Sequence, residues 1–140
     1  MPINLFLAGE VISTVITKDI ISDSTDSLYN TLKNLFDYDC HYLKQKLSEF
    51  DLEVKIEVIN SYLEKISSTD DKSVQTCLKY IKQIIEKINS ELKDIQKIMD
   101  DHKTKWFYNW RTANYYSNLN DLKIYINILN SRLDLLFKIN

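Results

Sequence analysis

Glycine and proline are almost missing from this chain of 140 residues: there is one of each, Gly9 and Pro2, both within the first ten positions. These residues punctuate sheets and tight turns, so a β-sandwich or a doubly wound α/β fold of this length would need many more. A few long helices joined by polar links need none. Cysteine is scarce as well. Cys40 and Cys77 are too few for a disulfide scaffold and read as small core residues in a reducing compartment. Two arginines stand against sixteen lysines, which leaves few of the bidentate forks that read base edges and argues against a nucleic-acid partner. No run of about 18 apolar residues is present to cross a bilayer. The apolar start, Ile3 to Ala8, lacks a basic n-region and meets Glu10 early, so a secretory signal is not expected and the expected localisation is cytoplasmic.

What the chain does contain suits one globular domain over 1–140. The hydrophobic fraction of 44% can fill a core and the charged fraction of 27% can keep the outside wet, at a length typical of single domains. The net charge of −2 conceals an uneven distribution. Residues 1–70 carry six basic and twelve acidic side chains, net −6, whereas residues 71–140 carry twelve basic and eight acidic, net +4. Solvated helix faces account for this; a basic surface that meets an anionic lipid or protein is the alternative. The abundance of Lys, Ile, Asn and Tyr is the codon signature of an AT-rich genome, as in a large DNA virus or a protist.

Periodicity predicts all-α structure, an antiparallel bundle of four to five helices. Over residues 73–101, Val74, Leu78, Ile81, Ile85, Ile88, Leu92, Ile95 and Met99 alternate spacings of four and three, a heptad seam that turns one narrow stripe toward a partner helix. Ser73 or Asp70 would cap its start. A second helix is expected over 105–138, where Leu119, Leu122, Ile126, Leu129, Leu133 and Leu136 repeat the stripe. Trp106, Trp110 and Ala113 keep helical phase upstream, with a drift near Tyr115 and Tyr116. The polar link 100–104 is short, so the two helices should fold back on each other as a hairpin. Leu52, Ile56, Ile59, Leu63 and Ile66 predict a third helix with Asp51 as N-cap; Leu43, Leu47 and Phe50 would extend it backwards only with a phase shift. Leu28, Leu32 and Leu35 make a shorter stripe. The polar run 22–27 before it is either a break or the exposed side of one long first helix. Residues 3–21 are rich in β-branched side chains that suit a strand, but no second strand is available to pair with one, so helix is preferred.

The side chains that carry chemistry do not assemble into a motif. Cys40-His41 is the only adjacent pair of soft metal ligands, and nothing completes a four-ligand zinc set; a core Cys beside a surface His is the simpler reading. His102 is distant, and no Gly-rich loop offers an oxyanion site, so a Cys/His nucleophile finds no support. No P-loop, dinucleotide fingerprint or H-E-x-x-H occurs. Glu53, Glu57 and Glu64 share helical spacing, but neither His41 nor His102 has the Glu three residues earlier that di-metal bundles use. No enzymatic activity, cofactor, metal or small-molecule substrate is expected. The unusual stretch is 103–111, which gathers Lys103, Lys105, Trp106, Trp110 and Arg111 at a helix start. Its tryptophans can plug the end of the core while the cations snorkel around them. Alternatively the stretch, widened by Lys97 and His102, is a patch for a partner or a membrane interface, although Asp100 and Asp101 dilute its charge. The heptad seam reads first as intramolecular core and second as an intermolecular coiled coil.

Taken in order, Leu78, Ile81, Ile85, Ile88, Leu92 and Ile95, then His102-Lys103 and Trp106-Phe107, then Leu119, Leu122, Leu129, Leu133 and Leu136 resemble the N-terminal four-helix bundles of cell-death effectors. These are the executioner domain of mixed-lineage kinase domain-like pseudokinases, the HeLo domains and the plant immune-receptor bundles. The likeness spans residues 50–138. It implies a bundle that oligomerises and engages anionic phospholipid through basic side chains, here Lys97, Lys103, Lys105 and Arg111. The chain departs from the pattern in its acidic first half, and no kinase-like region is expected to follow Asn140. A bundle of this kind alone implies a non-enzymatic interaction module, a decoy or inhibitor of a death pathway with a host or self protein partner. The alternatives are a membrane-engaging bundle and a structural or assembly protein.

Overall fold

The computed structural model describes residues 18–66, 71–104 and 113–139. Five helices lie in these segments: α1 Lys18–Phe36, α2 His41–Glu49, α3 Leu52–Ile66, α4 Lys72–Lys103 and α5 Tyr116–Ile139. The fold is all-α, as the near absence of Gly and Pro requires.

Side-chain pairs set the helix directions. Tyr80 meets Arg132, Lys87 meets Tyr125 and Glu91 meets Asn118, so α4 and α5 pair antiparallel as expected, although residues 100–103, expected as the polar link, are the last turn of α4. Ser27 meets Asn89 and Tyr38 meets Asp100, so α1 runs parallel to α4. Thr25 meets Asn60, and Leu32 and Phe36 lie near Leu52, so α3 returns antiparallel to α1. The four longer helices therefore run up, down, up, down, with the short α2 inserted between the first two.

All eight positions of the heptad seam on α4 are buried, from Val74 to Met99. Each fully buried Ile or Leu contributes roughly 2 kcal/mol of transfer free energy. The buried stripe is wider than the seam alone, because Cys77 and Ile84 are also covered, as a helix packed against both α1 and α5 requires. It also runs one step further than expected. His102, three residues after Met99, falls in phase with Ile95 and Met99 and is buried; it belongs to the core, not to an exposed patch. The N-cap is neither Ser73 nor Asp70 but Asp71, whose Oδ1 accepts from the amides of Ser73 at 2.9 Å and Val74 at 3.1 Å. These are the second and third helical residues, whose amides a capping carboxylate reaches.

Two other expectations change. The polar run 22–27 is no break: it lies inside α1. It is not simply the exposed side either, since Thr25 is fully buried. The last helix starts at Tyr116, not near 105. Ala113 and Tyr115 are both buried while Asn114 between them is exposed, an alternation that a helix cannot produce because neighbours two apart sit on different faces. The Tyr115 carbonyl then accepts from Leu119 N at 3.1 Å and opens α5. The expected strand-or-helix segment 3–21 is described only from residue 18, where the chain is helical and Ile21 is buried.

Candidate interaction surface

The residues singled out at the hairpin tip divide into two groups. Lys97 and Lys103 lie on α4 and are exposed. Lys105, Trp106, Trp110 and Arg111 lie outside the described residues. Between Lys97 and Lys103 stand Asp100 and Asp101, also exposed, so this part of α4 carries as many carboxylates as ammonium groups. Asp100 is further engaged as acceptor for the Tyr38 hydroxyl. Burial, then the hydrogen bond and charge of Asp100, push the Tyr38 phenol well above its ordinary range; the pair is a fixed strut between the end of α1 and α4.

A second polar-aromatic group sits where α2 meets the start of α5. Tyr115 is almost fully buried, and its hydroxyl lies 3.5 Å from Cys40 Sγ. Its ring is 6.4 Å from that of Tyr42 and 5.5 Å from that of Tyr116, while Tyr42 and Tyr116 meet edge to face at 5.9 Å. Burial, reinforced by the neighbouring thiol, raises the Tyr115 hydroxyl far above the usual phenol range, so it remains a neutral hydrogen-bonding group. Cys40 is thus a core residue, and His41 beside it is exposed, as expected. Beyond the tyrosines opens a cleft of about 580 Å³ between α2, the start of α3 and α5, where Lys46, Lys55 and Lys123 face Glu49 and three asparagines. Lys46 is paired with Glu49 at 3.8 Å, and Lys55 Nζ donates to the Phe50 carbonyl at 2.9 Å. Glu53, Glu57 and Glu64 are exposed on α3. Among the described residues no group of three or more His, Cys, Asp or Glu could hold a metal ion, and no helix is long and apolar enough to cross a membrane.

The most distinctive surface was not anticipated from the sequence. α5 buries Leu119, Leu122, Ile126, Leu129, Leu133 and Leu136, yet a second stripe on its outer side includes Ile124, 55% exposed, and Leu135, 53% exposed. Ile128, one turn after Ile124, is partly buried against the core and joins the two. Beside Leu135 a hollow of about 420 Å³ is lined by Thr76, Cys77, Tyr80 and Arg132. Its rim is tied by two contacts: the Arg132 guanidinium lies 5.5 Å from the centre of the Tyr80 ring, and its Nη1 donates to the Tyr80 carbonyl at 2.6 Å. Single apolar side chains on a surface are ordinary, but an aligned pair more than half exposed beside a hollow is a candidate interaction surface. The signal was present in the sequence as apolar residues in excess of the core stripe, at spacings of four and seven from 124 to 135.

No protein-family model and no solved structure matches the chain. Over 97 residues, 69% of its length, the chain is 36% identical to an uncharacterized protein, L717, of Acanthamoeba polyphaga mimivirus. The matched part is 46% of that protein, so the chain spans less than half the length of the relative it matches. A viral relative agrees with the AT-rich codon signature.

Proposed function

We propose that this chain is a non-enzymatic helical-bundle interaction module whose working surface is the outer face of α5. One observation carries the reading: two large aliphatic side chains on a well-packed helix, Ile124 and Leu135, are more than half exposed, although the opposite face of that helix already satisfies the core. Covering such residues is favourable at roughly 25 cal/mol per Å² of apolar surface. The sequence pattern that resembles cell-death bundles supports an adaptor, decoy or inhibitor of a death pathway as the biological setting, and the mimivirus relative supports a viral origin.

The test is survival of cells expressing the chain under a death stimulus, against the double variant Ile124→Glu/Leu135→Glu. The wild-type chain should shift the surviving fraction and the variant should not, with far-UV circular dichroism unchanged because both sites are exposed. No shift with the wild-type chain refutes the death-pathway setting. Equal activity of the variant refutes α5 as the working face.

A further inference from the structure

The outer stripe of α5 reads, in order, Asp121, Ile124, Ile128, Ser131, Leu135 and Lys138, with spacings of three and four that keep it on one side of the helix. Five of these six side chains, both ends of the stripe among them, are open: Asp121, Ile124, Ser131, Leu135 and Lys138 are exposed, and Ile128 is intermediate. The stripe is self-complementary. A two-fold axis between Leu129 and Asn130 sets Ile124 opposite Leu135, Ile128 opposite Ser131 and Asp121 opposite Lys138. Each apolar pair and each opposite-charge pair then occurs twice, as an isologous contact demands. The same register sets Asn127 opposite Arg132 and brings no like charges together.

Resting on the reading of α5 as the working face, we propose that its occupant is a second copy of this chain, docked antiparallel along α5. The partner's Ile124 fills the hollow beside Leu135, between Cys77, Tyr80 and Arg132, and the Asp121–Lys138 pairs at the two ends fix direction and register. A parallel pairing would set Asp121 against Asp121 and Lys138 against Lys138, which charge repulsion opposes. The two-fold closes on itself, so the assembly stops at two.

Sedimentation velocity of the full chain, from low to high micromolar concentration, tests this. A species of twice the 16.6 kDa chain mass should grow with concentration, and Ile124→Glu or Leu135→Glu alone should leave monomer. Asp121→Lys or Lys138→Asp alone should weaken association by roughly tenfold. The combined variant Asp121→Lys/Lys138→Asp should recover it, because the two-fold pairs 121 with 138. Monomer at every concentration, a dimer indifferent to Ile124→Glu, assembly beyond two copies, or a combined variant no better than the single reversals would each overturn the proposal. A chain that stays monomeric yet loses its effect on cell survival in the Ile124/Leu135 variant would leave α5 as the working face and remove only the second copy as its occupant.

Discussion

Asp51 connects two helices at one residue. Its backbone takes φ of 56°, in the left-handed region that costs most side chains roughly 1–2 kcal/mol and that Asp and Asn tolerate better. The amide of Asp51 donates to the Ser48 carbonyl at 3.1 Å, closing α2, while its own carbonyl accepts from Lys55 N at 3.3 Å, opening α3. Lys55 also ties its ammonium to the Phe50 carbonyl, so the corner is held from both sides. A β-branched side chain is least suited to it. Asp51→Val should destabilise the fold by about 1–2 kcal/mol. Asp51→Gly, freed of the Cβ clash but without the carboxylate that favours the start of α3, should stay within about 0.5 kcal/mol of the parent. Urea unfolding midpoints check both, and equal losses for Val and Gly would refute the backbone argument. The sequence placed Asp51 at the start of a helix, which is where it lies. Its φ was not legible, because the sharp turn arises from burying Leu47 on one side and Leu52 on the other, a tertiary requirement that local pattern does not encode.

Among the elements, α4 was the most legible and α1 the least, and the difference is physical. The seam of α4 is made of aliphatic residues at unbroken heptad spacing, so burial and periodicity give the same answer. In α1 part of the buried face is polar. Thr25 Oγ1 lies 3.0 Å from both the Ser22 carbonyl and Asn60 Oδ1, and Asn89 Nδ2 donates to Ser27 Oγ at 2.8 Å. Two polar contacts thus pin α1, one to α3 and one to α4, and a run of Ser, Thr and Asp that reads as a break or an exposed helix side is an interhelical seam. In a double-mutant cycle, Thr25→Val and Asn60→Leu should show a coupling of about 1 kcal/mol, with Thr25→Val alone the costlier change because it leaves Asn60 without its donor. Additive losses would mean that the two side chains only touch. The outer stripe of α5 escaped the sequence reading for the opposite reason. Once one apolar stripe accounts for the core, nothing in a single chain says whether the remaining aliphatic residues are incidental or a second interface. Their exposure had to be seen in the fold.

At the scale of the whole bundle, two phenols join elements far apart in sequence, and both respond to pH in the same direction. Tyr38 fastens the end of α1 to Asp100 on α4, and Tyr115 fastens the start of α5 to Cys40 before α2. Burial is the first cause of the raised pKa of each, so the folded state favours the neutral phenol. A free phenol titrates near 10. Between that pH and the higher folded values the folded chain holds protons that the unfolded chain has lost, and there stability falls as pH rises. The stabilisation is therefore complete below about pH 10 and declines above it. Urea unfolding of the parent should give constant contributions from these groups through neutral and mildly alkaline pH and a steep loss beyond. The double variant Tyr38→Phe/Tyr115→Phe should start less stable, since both hydroxyl contacts are gone, and should lose less with further alkalinity. Both proteins carry the same remaining side chains, so the difference between the two curves isolates the phenols. Parallel curves would mean that neither hydroxyl is protected by the fold. A difference confined to Tyr115→Phe would assign the alkaline weakness to the α2–α5 corner and leave Tyr38 titrating as an ordinary surface phenol beside Asp100.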